Sequence, residues 1–225
     1  GDGRILAIEA GAELTDMEMF QFHPTAMVWP PSCKGILVTE GVRGEGGMLF
    51  NTKDERFMER YHKLLDLAPR DIVSRSIARE VLEGRGTTHG GVFLRVSHLP
   101  AEIIKDRLKT MNRQFILAGV DITKEPMEVA PAAHYYMGGV RTNIECETKV
   151  KGLYAAGEEQ GGVHGANRLG GNSIAATQVF GKIAGERAAT FAKGRTKGPI
   201  DRDEIELELK RVDKIPGSGK AEIPP

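Results

Sequence analysis

Three arginines stand where glycine or proline flanks them: Arg43 in TEGVRGEGG (39–47), Arg70 in LAPRD (67–71) and Arg168 in HGANRLGGNS (164–173). Glycine costs backbone entropy, so such clusters mark turns or a close approach of the main chain to something. Flanks of this kind fix the backbone and leave a long side chain to point into a cleft. A guanidinium stays charged at neutral pH, and its planar fork matches a carboxylate. Several of them converging would suit a small polyanion better than a nucleic acid. The other arginines read as solvated or salt-bridged surface groups.

The histidines divide in the same way. His62, His89 and His98 lie in polar or loop contexts and read as surface residues, whereas His23, His134 and His164 lie in stretches punctuated by proline or glycine. None has the close ligand spacing or the carboxylate partner of a zinc site, so no metal is expected. Cys33 and Cys146 stand alone, which suggests neither a disulfide framework nor a metal. Neither GEGGML nor GDGRIL completes a GxGxxG, and no GxxxxGK[ST] occurs. A dinucleotide, if bound, would have its main pyrophosphate loop outside this chain.

Charge excludes further classes. Acidic and basic residues number 31 each, so nothing electrostatic points to nucleic acid or an anionic membrane. No apolar run is long enough to span a bilayer and no signal peptide pattern is seen, and the lone cysteines make a reducing cytoplasmic setting the default expectation.

The positioning elements can be read from periodicity. A Gly-Asp-Gly turn opens a short helical pattern. MEMFQFHP, GILVTEG and GMLFN read as strands bounded by turns. Pro69, Arg70 and Asp71 start a helix with Val73, Ile77 and Val81 on one face, ended by Gly84. VFLRV (92–96) reads as a strand. Pro100 starts a helix carrying Ile104, Leu108, Met111 and Phe115, stopped by Gly119. Beyond Pro126 the texture turns to glycine-rich segments around short buried strands, GLYAAGE (152–158) the clearest. Ser173 is expected to cap a helix of small residues over roughly 174–192, closely packed against its neighbours and ended by Gly194. The unpaired N–H groups at the start of that helix, next to RLGGN, would stabilise negative charge. Ile205, Leu209 and Val212 mark a last amphipathic segment before PGSGKAEIPP. Both ends read as cut, as in a segment of a longer polypeptide.

Taken in order, QFHPT (21–25), TEGVRGEGG, RFMERY (56–61), PRDIVSRSI (69–77), HYYMGGV (134–140), GLYAAGE, HGANRLGGNS and GKIAGERAA (181–189) resemble the flavoprotein subunits of succinate dehydrogenase and fumarate reductase. L-aspartate oxidase is a close relative. The resemblance implies an α/β plus α+β fold, with a capping domain inserted in a partial Rossmann-like FAD-binding domain. Residues 1–11 would end the first FAD-domain segment, 12–128 form the cap, 129–194 return to the FAD domain, and 195–225 begin a helical region or linker.

It also implies roles. His23, Thr39, His134 and Arg168 would hold the two carboxylates of succinate or fumarate. Arg70 would transfer the proton, with Glu40 and Arg43 relaying it from solvent. Asp2, Glu158, Ser173 and Ile174 would contact FAD. The stretch from Glu158 to Arg168 is one residue shorter than in familiar bacterial enzymes, which leaves residues 159–163 unassigned. An iron–sulfur subunit would be the partner, and the setting cytoplasmic, peripheral on the inner membrane face through partner subunits, with no direct membrane insertion. TEGVRGEGG and HYYMGGV favour this reading over L-aspartate oxidase, whose members tend toward Ala-Leu after the Glu and Cys before the glycine pair. A third reading is a non-catalytic domain fragment without FAD.

Overall fold

The computed structural model describes residues 1–196, 198 and 202–214, so PGSGKAEIPP lies outside the described residues. The chain divides into two compact units, Gly1–Ala189 and Thr190–Pro225.

The first unit holds two small sheets. Strand β2 (Phe20–Trp29) pairs antiparallel with β5 (Met127–Tyr136), which pairs with β4 (Val92–Arg95), which pairs with β3 (Met48–Phe50), giving the order β2-β5-β4-β3. A second sheet joins β1 (Leu14–Thr15) to β6 (Gly139–Val140). The long strand β5 has no strand signature in the sequence, because Pro131 sits inside it and proline cannot donate to a ladder. The structure resolves the conflict with bulges. Pairing jumps from His23↔Ala132 to Ala26↔Ala130, so Pro24 and Pro131 both fall at one irregularity. A second slip, from Gln21↔Tyr135 to Phe22↔Ala133, leaves His134 as the extra, unpaired residue. Bulges re-aim side chains. Here they aim the histidines.

Helix α3 (Arg70–Glu80) crosses β2 and β5 and buries Val73 and Ile77 against them. Each such fully buried aliphatic side chain contributes roughly 1.5–3 kcal/mol. After it the chain makes a wider turn at Val81–Arg85, where Gly84 takes φ 75°, the expected stop. The helix expected after Pro100 is two, α4 (Ala101–Arg107) and α5 (Lys109–Leu117), bent at Leu108 with Ile104, Leu108, Met111 and Phe115 all still buried. These residues join one large core that spans positions 27 to 129. A separate small core gathers Ala7, from α1 (Asp2–Glu9), with Val140 and Ala155.

Several expectations need correction. GILVTEG is not a regular strand. Its backbone bonds to β2, as in Met27 N–H to the Ile36 carbonyl at 2.8 Å, but from Glu40 it turns into the short helix α2 (Glu40–Gly44). GLYAAGE forms only one antiparallel bridge, Glu147↔Tyr154, because no described strand runs along its length. Helix α6 (Asn172–Ala192) starts before Ser173, so Ser173 lies within its first turn. Its small residues are not closely packed: Ala176 alone is buried. His89 lies at the surface as expected, though not without partners. It stacks on Trp29 with ring centroids 4.2 Å apart and meets the Glu128 carboxylate at 3.0 Å.

The second unit contains the last residues of α6, Gly194 at φ 77° and helix α7 (Arg202–Asp213), where Ile205, Leu209 and Val212 recur as expected but lie exposed. Among the described residues no helix is long and apolar enough to cross a membrane, and no group of metal-ligating side chains gathers.

Candidate active site

Five chain segments converge on one place. β2 supplies Gln21 and His23, α2 supplies Glu40 and Arg43, α3 supplies Arg70 as its first residue, β5 supplies His134, and the turn before α6 supplies Arg168. Arg70 Nη1 lies 3.2 Å from His134 Nε2, and Arg168 Nη2 lies 3.3 Å from that same atom. Touching a common atom places the two guanidinium nitrogens within about 6.5 Å of each other. Like charges at that distance repel by on the order of 2–3 kcal/mol at an effective dielectric of about 20. An anion seated between them would turn that cost into attraction.

His134 Nε2 thus faces two guanidinium donors and also, at 3.2 Å, the acceptor Oε1 of Gln21. Burial, and then the charges of Arg70 and Arg168, hold the His134 pKa below the ordinary imidazole value. His23 is only 4% exposed and is pushed down to about 3, by burial first and then by Arg70 and His134. Its Nδ1 accepts from the Thr25 N–H at 3.3 Å, which leaves Nε2–H as a donor. Its ring centroid is 5.2 Å from that of His134. Both imidazoles are therefore neutral at pH 7.

Arg168, 5% exposed, lies over the Tyr135 ring at 4.3 Å, and its Nη1 meets Ser173 Oγ at 3.4 Å. Burial, and then Arg70, lower its pKa. Glu40 Oε2 accepts from Arg70 at 2.8 and 3.1 Å, while Oε1 lies 3.8 Å from Arg43. Burial opposes ionisation of Glu40, but the Arg70 hydrogen bonds and the Arg70 and Arg43 charges outweigh it and leave its pKa lowered. The Glu40 side chain is 45% exposed and so open to water, whereas Arg43 is 2% exposed. Thr39 occupies the N-cap position of α2 without using its hydroxyl as a cap, which leaves that oxygen for another partner. A Cβ on Gly170 would lie 2.7 Å from Glu40 Oε2, so a larger residue there would push that carboxylate aside.

The sequence reading missed the hub. Gln21, 3% exposed, donates to the Arg168 carbonyl at 2.7 Å and to Asn167 Oδ1 at 3.0 Å. Its Oε1 accepts from Arg70 Nη1 at 3.3 Å and faces His134 Nε2 at 3.2 Å. Asn167 extends the link to Asp71 at 2.9 Å. The available signal was QFHPT itself, which alternates polar and apolar residues and so sends Gln21 and His23 to one face.

Arg43, Arg70 and Arg168 outnumber Glu40, and with neutral histidines the cleft carries two positive charges in excess. A small dianion is the electrostatic complement of such a cleft.

Residues 1–174 match the family described as FAD binding domain. The chain belongs to that family. Within it, the CoM/CoB fumarate reductase of Methanothermobacter marburgensis has a chain 57% identical over 212 residues, 94% of this chain and 39% of that one. The mitochondrial succinate dehydrogenase flavoprotein of Oryza sativa subsp. japonica is 44% identical, over 96% of this chain and 36% of its own length. An L-aspartate oxidase of Synechocystis matches at 47% over 80% of this chain and 33% of its own. A solved quinol–fumarate reductase with menaquinol superimposes with a TM-score of 0.84 at 40% identity, over 94% of this chain and 40% of that one. The chain thus spans about two fifths of the length of the relatives it matches.

The residues of this FAD-binding chain fit such a cofactor. Leu169 and Ile174, 71% and 72% exposed, offer apolar surface beside the first turn of α6, where free N–H groups and Arg168 favour an anionic edge. Glu158 is exposed at a turn fixed from below: its carbonyl accepts from Arg4 at 2.9 Å and its Oε1 from the Tyr136 N–H at 3.0 Å. Asp2 opens α1, the helix that carries Arg4.

Proposed function

We propose that this chain is the dicarboxylate-binding part of a flavoprotein subunit of the succinate dehydrogenase and fumarate reductase type, which moves a hydride between FAD and a C4 dicarboxylate. The convergence of Arg70 and Arg168 on His134 carries this reading. FAD, held by Asp2, Glu158, Ser173 and Ile174, would supply or take up the hydride. Everything else falls to the chain's own side chains.

Arg168 and His134 hold one carboxylate of succinate or fumarate, and His23 Nε2–H with the Thr39 hydroxyl holds the other. The guanidiniums stabilise the negative charge that builds next to a carboxylate as the C=C bond is reduced. Arg70 then gives a proton to the second carbon. Glu40, in contact with Arg70 and open to water, returns that proton, and Arg43 completes the relay. An arginine is a weak acid, so the step depends on Glu40 standing in contact with Arg70 to restore its proton.

In the same reading residues 12–128 are the capping domain, 1–11 and 129–194 belong to the FAD domain, and 195–225 begin a helical region or linker. The separation of the large core from the Ala7–Val140–Ala155 cluster supports that division. An iron–sulfur subunit would exchange electrons with the whole protein and tie it to a membrane from the cytoplasmic side. The test is Arg70→Ala in the full-length, FAD-loaded protein. Fumarate reduction is expected to vanish while the flavin spectrum persists, and near-normal turnover would refute the assignment. L-aspartate oxidation would use the same carboxylate contacts. Assaying succinate against L-aspartate separates the two, and succinate is the expected substrate.

A further inference from the structure

RFMERY is a motif that the site has not absorbed, and its contacts lead back to the proposed relay. Arg43 is buried, and its single hydrogen-bond acceptor among the described residues is the Asp66 carbonyl, met by Nη1 at 2.5 Å; its Nε and Nη2 have none. The position of that carbonyl therefore decides where the guanidinium sits opposite Glu40. Asp66 is itself buried, and three bonds clamp its carboxylate: the Leu49 N–H at 2.8 Å, Arg56 Nε at 2.9 Å and Arg56 Nη2 at 2.6 Å. The preceding residue, Leu65, takes φ 50°, a conformation non-glycine residues hold only when their surroundings impose it. Phe57 and Met58, both fully buried, anchor the segment that carries Arg56.

We propose that Arg56 is a positioning residue for proton delivery: its fork grips the Asp66 carboxylate, which aims the Asp66 carbonyl at Arg43 and so keeps Arg43 and Glu40 in line with Arg70. This rests on the relay reading above. The planar fork matters as well as the charge, since Nε and Nη2 both donate to Asp66 Oδ2 and leave Oδ1 to the Leu49 N–H, whereas a lysine ammonium has no such rigid pair of donors. The far end of RFMERY holds the C-terminal end of α3. Arg60 and Tyr61 bind Glu80, the last residue of the helix that Arg70 begins, at 3.1 and 2.7 Å.

The test uses the full-length, FAD-loaded protein and fumarate reduction by a reduced viologen dye. For Arg56→Gln, kcat is expected to fall on the order of tenfold, within the range that misplacement far from the chemistry can cost. KM for fumarate should stay within about twofold, since the carboxylate-holding side chains are untouched. The solvent deuterium isotope effect on kcat should rise as proton delivery becomes limiting, and Arg56→Lys should restore only part of the rate. Because Arg56 acts through Arg43, adding Arg56→Gln to Arg43→Lys should cost much less than it costs the wild type. Unchanged kcat and isotope effect in Arg56→Gln overturn the proposal. So do full additivity with Arg43→Lys, or loss of folded, flavin-bearing protein in both Arg56→Gln and Arg56→Lys, which assigns Arg56 to stability alone. If Arg70→Ala retains turnover, the relay itself fails whatever Arg56 does. If Arg70→Ala is dead and Arg56→Gln is normal, only the present inference fails.

Discussion

The neutrality of His23 makes a quantitative prediction about stability. An unperturbed histidine titrates near 6.5, and His23 in the fold is held at about 3, mainly by burial. The folded chain therefore refuses a proton that the unfolded chain accepts. Stability from this group is complete above pH 6.5 and is lost as the pH falls from there toward 3. Between pH 7 and pH 5 the loss from His23 alone comes to about 2 kcal/mol, of the same order as a single core methyl group or two. His134 and His164 are also shifted down, largely by burial, and add to the slope. The assay is urea unfolding of wild type and His23→Gln at both pH values. The wild type should lose about 2 kcal/mol more than the variant over that interval, because the glutamine has no proton to refuse. NMR titration of the His23 ring should show no midpoint above pH 5. Equal slopes in the two proteins, or a His23 midpoint near 6.5, would refute the claim that this imidazole is a neutral donor.

Three other perturbations follow from the same contacts. Glu80→Ala removes a fully buried carboxylate that accepts from Asn51, Arg60, Tyr61 and Arg85, and should cost roughly 1–3 kcal/mol of unfolding free energy by taking their shared acceptor away, although Arg85 keeps Glu83; a loss under about 0.5 kcal/mol contradicts this. Gly170→Ala would press on the tip of Glu40, a flexible group that can yield, so the melting temperature should hold while full-length turnover drops about tenfold. Gly138→Ala differs, because its Cβ would run into the Asp16 main chain, and it should lower thermal stability sharply in a melting assay.

Much of this arrangement was legible before the structure, and for identifiable reasons. Arg43, Arg70 and Arg168 stood out because proline and glycine beside them restrict the backbone, and all three face one place. Helix α3 was legible from the fourfold spacing of Val73 and Ile77 and from Gly84. Strand β5 was not, because Pro131 forbids it locally and only pairing with β2 across a series of bulges permits it. Those bulges also put His134 opposite Arg70, a tertiary fact that no local pattern carries. Gln21 went unread because a lone amide in a strand looks like a solvent-facing residue until its partners arrive from three other segments. The packing expected of α6 failed because small residues permit close approach without supplying the neighbour.

The most direct test is a crystal structure of the full-length, FAD-loaded protein with fumarate bound. One carboxylate should lie between Arg168 and His134, the other against His23 and Thr39, with Arg70 within hydrogen-bonding distance of an alkene carbon's position. Fumarate bound elsewhere, with Arg70 and Arg168 still meeting at His134, would contradict the account.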